Sequence, residues 1–180
     1  MIKDKISILM GIYNCASTLP EAIDSIIAQT YENWELIMCD DCSTDNTYEI
    51  AEEYRKKYPD KIKIVKNDKN SKLAFTLNHC LECADGEYVA RMDGDDISVP
   101  ERFEKQINYL KEHPDIQLVG TWMRQFNETD GNIGMVKRPT HTDKNTMKTR
   151  IPFNHATIMT YHYVYDELGG YTVSKRTERG

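Results

Sequence analysis

Short, nearly unbroken apolar runs alternate with amphipathic stretches through the first half of the chain. Residues 6–12, Ile-Ser-Ile-Leu-Met-Gly-Ile, form the first run, which predicts a strand buried on both faces as in a parallel sheet. Beyond the loop at Tyr13 to Ser17, Thr18 to Glu21 reads as a capping box with Pro20 in the first turn. Leu19, Ile23, Ile26 and Ile27 then share one helical face. The plan repeats with a strand at 34–39, a polar loop at 40–45 that can cap a helix over 46–58, and a strand at 61–66. A turn at 67–70 leads to a helix over 71–84, where Leu73, Leu77 and Leu81 recur at intervals of four, and then to a strand at 87–92.

The second half is less regular. Ser98 to Glu101 reads as a helix start, Phe103, Ile107 and Leu110 stripe that helix, and His113-Pro114 stops it. Strands are expected at 116–123, 133–137 and 151–161, with a turn at Asp130-Gly131, a short helix over 142–150, and a last helical turn at 166–170. The order βαβαβαβα followed by mixed elements predicts an α/β fold: a Rossmann-like, mostly parallel sheet, helices on both faces and antiparallel strands in the second half. Ligands of such sheets sit beyond the carboxyl ends of the strands. Tyr13, Asp40-Asp41, Lys72 and Asp93 to Asp96 all fall at those ends.

The loop from Arg91 to Ile97 carries three carboxylates, Asp93, Asp95 and Asp96, between a strand and a helix. In an extended segment Asp93 and Asp95 would face one target together. Their mutual repulsion is relieved by a divalent cation, and oxygen ligands suit Mg²⁺ or Mn²⁺. A hairpin at Asp93-Gly94 does not fit the helix that follows. An EF-hand would need an Asn or Asp where Ile97 stands and Gly where Ser98 stands. A solvated acidic loop is the plain alternative.

Composition narrows the picture. The 180 residues are 39% hydrophobic and 29% charged, with a net charge of -6 and no basic stripe, which speaks against a nucleic-acid partner. No apolar run approaches the ~20 residues that span a bilayer, and the N-terminus lacks a signal peptide's apolar region. A cytoplasmic protein is expected, with peripheral attachment to the inner face of the membrane left open. Five cysteines, including the pairs Cys39/Cys42 and Cys80/Cys83, read as reduced thiols. The pairs are too far apart for linked zinc knuckles.

Four stretches, ISILMGIYN, AIDSIIAQTYENWELIMCDDCSTDNT, ADGEYVARMDGDD and PERFEKQINYLKEHP, resemble family 2 glycosyltransferases of the GT-A fold. The similarity runs from Ile6 to about Gly120 and more loosely through His155 and Gly169-Gly170. The resemblance implies inverting, metal-dependent transfer of a sugar from a nucleotide-sugar, commonly a UDP-sugar. The implied acceptor is a saccharide or lipid-linked acceptor in cell-surface polysaccharide biosynthesis. It implies donor-nucleotide contacts at Gly11, Tyr13, Asp40, Asp41, Lys72 and Asp93. Asp93 and Asp95, the DXD motif, would hold the cation, Mn²⁺ or Mg²⁺. Asp41 would meet the base, Tyr13 would stack on it, and Asp93 would lie near the ribose.

Plain readings stand beside these. Asp40 and Asp41 can cap a helix, Tyr13 can pack, Lys72 can be solvated, His155 can be a structural histidine, and Arg91 can pair with nearby acids. The family's general base follows its Gly-Gly-Tyr region. No residue here takes that role clearly, since Asp166 and Glu167 come too early and Glu178 fits poorly. The base is therefore expected just beyond Gly180, in a single catalytic domain cut short at its C-terminus. Residues 1–98 would form the nucleotide-sugar half and 99–180 the start of the acceptor half. Apolar surface left uncovered would favour a homodimer. A donor-binding module without activity, and a Mg-binding receiver-type signalling domain, are the competing classes. No P-loop or G-x-G-x-x-G motif is present.

Overall fold

The computed structural model describes residues 1–127, 131–142 and 152–173. In chain order the elements are β1 (Ile2–Ile12), α1 (Leu19–Ile27), β2 (Trp34–Asp40), α2 (Thr47–Lys57), β3 (Ile62–Lys66), α3 (Lys72–Glu82), β4 (Gly86–Arg91) and α4 (Arg102–Glu112). There follow β5 (Leu118–Val119), β6 (Met123–Asn127), β7 (Gly131–Val136), a 3-10 turn (His155–Thr157), β8 (Met159–Tyr161) and α5 (His162–Leu168). Six strands make one sheet in the order β3-β2-β1-β4-β8-β5, while β6 and β7 form a separate antiparallel pair. β1 lies parallel to both β2 and β4, and β2 parallel to β3. β8 runs antiparallel between β4 and β5.

Alternation along the strands divides the core into two layers. Ile6, Ile8, Met10 and Ile12 of β1 and Leu36 and Met38 of β2 meet Leu19, Ile23 and Ile26 of α1, Ala51 of α2, and Phe103, Ile107 and Leu110 of α4. Leu9, Ile37, Cys39 and Val89 point the other way, onto Leu77 and Cys80 of α3 and Tyr165 of α5. Each fully buried Ile or Leu contributes about 1.5–3 kcal/mol. This explains why β1 and β2 read as continuous apolar runs: both faces are covered.

Local readings shift where side chains take other partners. Thr18 makes no capping bond to α1; its hydroxyl donates to the Gly94 carbonyl at 3.0 Å, tying α1 to the acidic loop. The 98–101 segment is loop rather than helix. There Ser98 N–H donates to Ser25 Oγ at 3.0 Å, and Gln29 Nε2 donates to Ser98 Oγ and the Val99 carbonyl. The expected strand at 116–123 shrinks to β5. The expected strand at 151–161 shrinks to β8, because Asn154 to Thr157 fold into a turn in which Thr157 N–H and Oγ1 both donate to the Asn154 carbonyl. The helix expected over 142–150 lies outside the described residues but for Thr142.

At the amino ends of the strands, buried Glu35 gathers Ser7 Oγ (2.6 Å), Lys5 Nζ (3.0 Å), Lys63 Nζ (2.8 Å) and Asp85 N–H (3.0 Å). The two lysines also reach Asp85, at 2.6 and 3.2 Å. A Cβ at Gly86 would lie 2.6 Å from the Lys5 carbonyl oxygen, so only glycine fits where β4 meets this cluster. The opposite, carboxyl end of the sheet is thereby left to loops.

Candidate active site

α1 and α2 follow β1 and β2 on one face, whereas α3 crosses on the other face to deliver β4 to the far side of β1. The winding reverses between β1 and β4, and a doubly wound sheet opens a crevice at that point. Tyr13 leaves β1 there, 50% exposed. The turn that carries Asp93, Asp95 and Asp96 leaves β4 beside it.

The loop that presents Tyr13 is sewn to the loop after β2. Asn14, at φ 49, accepts the Thr44 N–H at 2.8 Å. Three side chains of the second loop accept backbone N–H groups of the first: Ser43 from Asn14 (3.0 Å), Thr47 from Cys15 (2.8 Å) and Asp45 from Ala16 (3.2 Å). Asp45 also accepts the Thr47 N–H at 3.0 Å. The 42–47 motif thus rigidifies the support of Tyr13.

The two acids after β2 differ. Asp40 is fully buried, and its carboxylate accepts the Ser43 N–H at 3.2 Å and faces Lys66 Nζ at 3.6 Å. In this structure it closes its own loop rather than opening outward. Asp41 is 5% exposed and organises the start of α3: it accepts Ser71 N–H (2.7 Å), Lys72 N–H (2.9 Å) and Asn67 Nδ2–H (2.8 Å). Asn67 is fixed in turn by Thr76 Oγ1 at 3.0 Å and His79 Nδ1 at 3.0 Å. A carboxylate offers about four lone-pair directions, so Asp41 retains one for a further donor. Lys72 stands at φ 70 with its side chain exposed. Gly11 lies under α3, where a Cβ would come within 3.2 Å of Leu73 and Thr76.

The acidic loop is a turn rather than the extended segment expected: Asp96 N–H approaches the Asp93 carbonyl at 3.4 Å. Gly94 lets it lie close to β1, since a Cβ there would sit 3.0 Å from Cys15 Sγ. Burial, joined by the charges of Asp93 and Asp95, pushes the half-buried Asp96 carboxyl up to about 6. That crowding of negative charge fits a cation, and the donor set is all oxygen. Among the described residues no group of three or more His, Cys, Asp or Glu side chains could hold a metal ion. A cation at Asp93 and Asp95 would therefore complete its shell with ligand and water oxygens.

Two arginines and a histidine surround this turn; the sequence pointed to Arg91 pairing with nearby acids and to a structural His155, but not to Arg102. Arg91 is buried and ion-paired with Asp93. Arg102, also buried, donates to the Arg91 carbonyl at 2.6 Å and to Ala156 at 3.3 Å, and burial lowers its pKa to about 10. The available signal was its place one turn from Gln106 on the apolar face of α4. His155 sits edge-on to Tyr171 at 5.7 Å, and partial burial and the Arg91 charge hold its pKa below the usual value.

A sheet that reverses at this point, with acids in place of a glycine-rich phosphate loop, has the GT-A architecture. The same conclusion follows from residues 7–169, which match the profile described as "Glycosyl transferase family 2"; the chain belongs to that family. It is 49% identical over 175 residues to a putative glycosyltransferase, EpsE, of Bacillus subtilis (strain 168). That match covers 97% of this chain and 63% of the relative. Among solved structures it resembles S. aureus TarS 1-349 in complex with UDP (TM-score 0.77, 22% identity, 97% of this chain and 52% of the other). It also resembles the mannosyltransferase PcManGT from Pyrobaculum calidifontis in complex with GDP-Man and Mn2+ (TM-score 0.72, 22% identity, 93% and 47%). The chain thus spans less than two thirds of these proteins. Family membership displaces the receiver-domain alternative.

Proposed function

We propose that this chain binds a nucleotide-sugar, in the first instance a UDP-sugar, and belongs to an inverting glycosyltransferase of cell-surface polysaccharide biosynthesis. The observation that carries the reading is that Tyr13, Asp41 and the 93–96 turn leave the carboxyl ends of the adjacent strands β1, β2 and β4. Tyr13 offers an exposed ring for a base to stack on. The lone pair left on Asp41 accepts an N–H, which uracil supplies. Asp93 and Asp95 hold Mn²⁺ or Mg²⁺, with Asp93 also near the ribose. When bound, the cation acts as a Lewis acid on the departing diphosphate. Two structures of similar fold hold UDP, and GDP-Man with Mn2+, which supports a nucleotide-sugar and a divalent cation as the ligand classes.

Residues 1–98 serve the donor, and the elements after them begin the acceptor side, for a saccharide or lipid-linked acceptor. Asp40 and Gly11 contribute by shaping the loop ends, and Lys72 offers a cation at the rim. The general base is assigned to an acidic residue after the Gly169–Tyr171 segment; Glu178 lies outside the described residues. No described helix is long and apolar enough to cross a membrane.

A panel of UDP-, GDP- and dTDP-sugars, screened for thermal stabilisation with and without Mn²⁺, tests the proposal. A UDP-sugar should stabilise the chain most, and only with the cation. Stabilisation by none of them would refute the donor-site reading.

A further inference from the structure

The guanidinium of Arg91 lies under the acidic turn with a side chain only 2% exposed. It pairs with Asp93, and its Nε has no hydrogen-bond partner among the described residues. Taking a guanidinium out of water is costly, and a buried ion pair is weak evidence for stability. Hydrophobic packing would serve the core better, so the charge calls for another reason. Asp93 is 36% exposed, with one oxygen held from below and the rest of the carboxylate facing out. Asp95 is exposed and has no ion pair among the described residues.

We propose that Arg91 is a positioning residue for the acidic turn: it holds one oxygen of Asp93, aims the other at the donor, and leaves Asp95 as the principal ligand of the cation. This rests on the donor-site reading above. Arginine suits the task because its planar fork is rigid and matches a carboxylate. The pairing also cancels one negative charge at the mouth that a diphosphate must approach.

The test compares Arg91→Lys, Asp93→Asn, their double variant and Asp95→Asn with wild type. UDP affinity in Mn²⁺ is read by calorimetry well below each melting temperature, and Mn²⁺ uptake by loss of the free-ion EPR signal. Arg91→Lys keeps the charge but loses the rigid fork that aims Asp93, and should weaken UDP in Mn²⁺ by roughly tenfold. Adding Asp93→Asn should cost little more, because Arg91 acts through Asp93. Mn²⁺ uptake should fall far less in Arg91→Lys than in Asp95→Asn. Should Arg91→Lys not fold, Arg91→Gln with Asp93→Asn, which strands no charge, replaces it and should match Asp93→Asn alone. A folded Arg91→Lys with wild-type affinity, or single losses that simply add, would overturn the proposal and leave the donor site standing. A wild-type chain that does not bind UDP in Mn²⁺ would remove both.

Discussion

The carboxylate of Asp41 accepts Ser71 N–H, Lys72 N–H and Asn67 Nδ2–H, and the proposed function gives its remaining lone pair to the base. Asp41→Ala therefore acts twice. Leaving buried donors unsatisfied costs about 1–3 kcal/mol, which is a fall of roughly 2–12 °C in Tm for a chain of this size. UDP should weaken more than free pyrophosphate, since the lost contact is to the base. Calorimetry with both ligands decides, and equal losses would move Asp41 out of the base pocket. Asp95 is the contrasting case, exposed and outside the core. Asp95→Asn should leave the unliganded Tm unchanged or slightly higher, because it relieves repulsion in the turn. It should also abolish the Mn²⁺-dependent part of UDP binding. A variant that unfolds, or binds UDP as wild type does, would refute that role.

At the scale of elements, β1 and β2 were legible because both faces are covered and leave long apolar runs; the edge strand β3, Ile-Lys-Ile-Val-Lys, and β4 were legible from short β-branched and aromatic segments between turn signals. The carboxyl-end loops were legible because βα alternation alone places them there. Two kinds of feature were not. The limits of the expected strands at 116–123 and 151–161 were one: β5 and β8 are only two and three residues long, and Asn154 to Thr157 turn where apolar neighbours suggest strand. Long-range polar pairs carry no local pattern either: Thr18 reaches Gly94, Arg102 reaches Arg91 and Ala156, and Asp41 reaches α3. The cluster at the amino ends is a further example, with a consequence for pH. Partial burial raises the Asp85 pKa, but hydrogen bonds from Lys5 and Lys63 outweigh it and bring the carboxyl to about 2. A depressed carboxyl stabilises the fold above its unfolded value of 3.8, and this contribution is lost as pH falls from about 4 toward 2. Asp85 is 43% exposed, so solvent screens the effect. Asp85→Asn should flatten the acid limb of a Tm-against-pH curve in that window. An acid limb identical to wild type would show that other carboxylates govern it.

The whole molecule places its polar ion cluster at one end of the sheet and its open loops at the other. The acidic turn and the tyrosine that flank the winding reversal come from strands adjacent in space but far apart in sequence. The three carboxylates of the acidic turn would repel an anionic nucleotide, and the proposed function has a cation offset that repulsion. That dependence is the centre of the account, and one measurement addresses it: the melting temperature of the wild-type chain with UDP, in Mn²⁺ and in EDTA. At 100 times Kd the bound nucleotide contributes about 2.7 kcal/mol, or roughly 5–10 °C at this size. The account predicts that rise in Mn²⁺ and none in EDTA. An equal rise in both, or no rise in either, would contradict it.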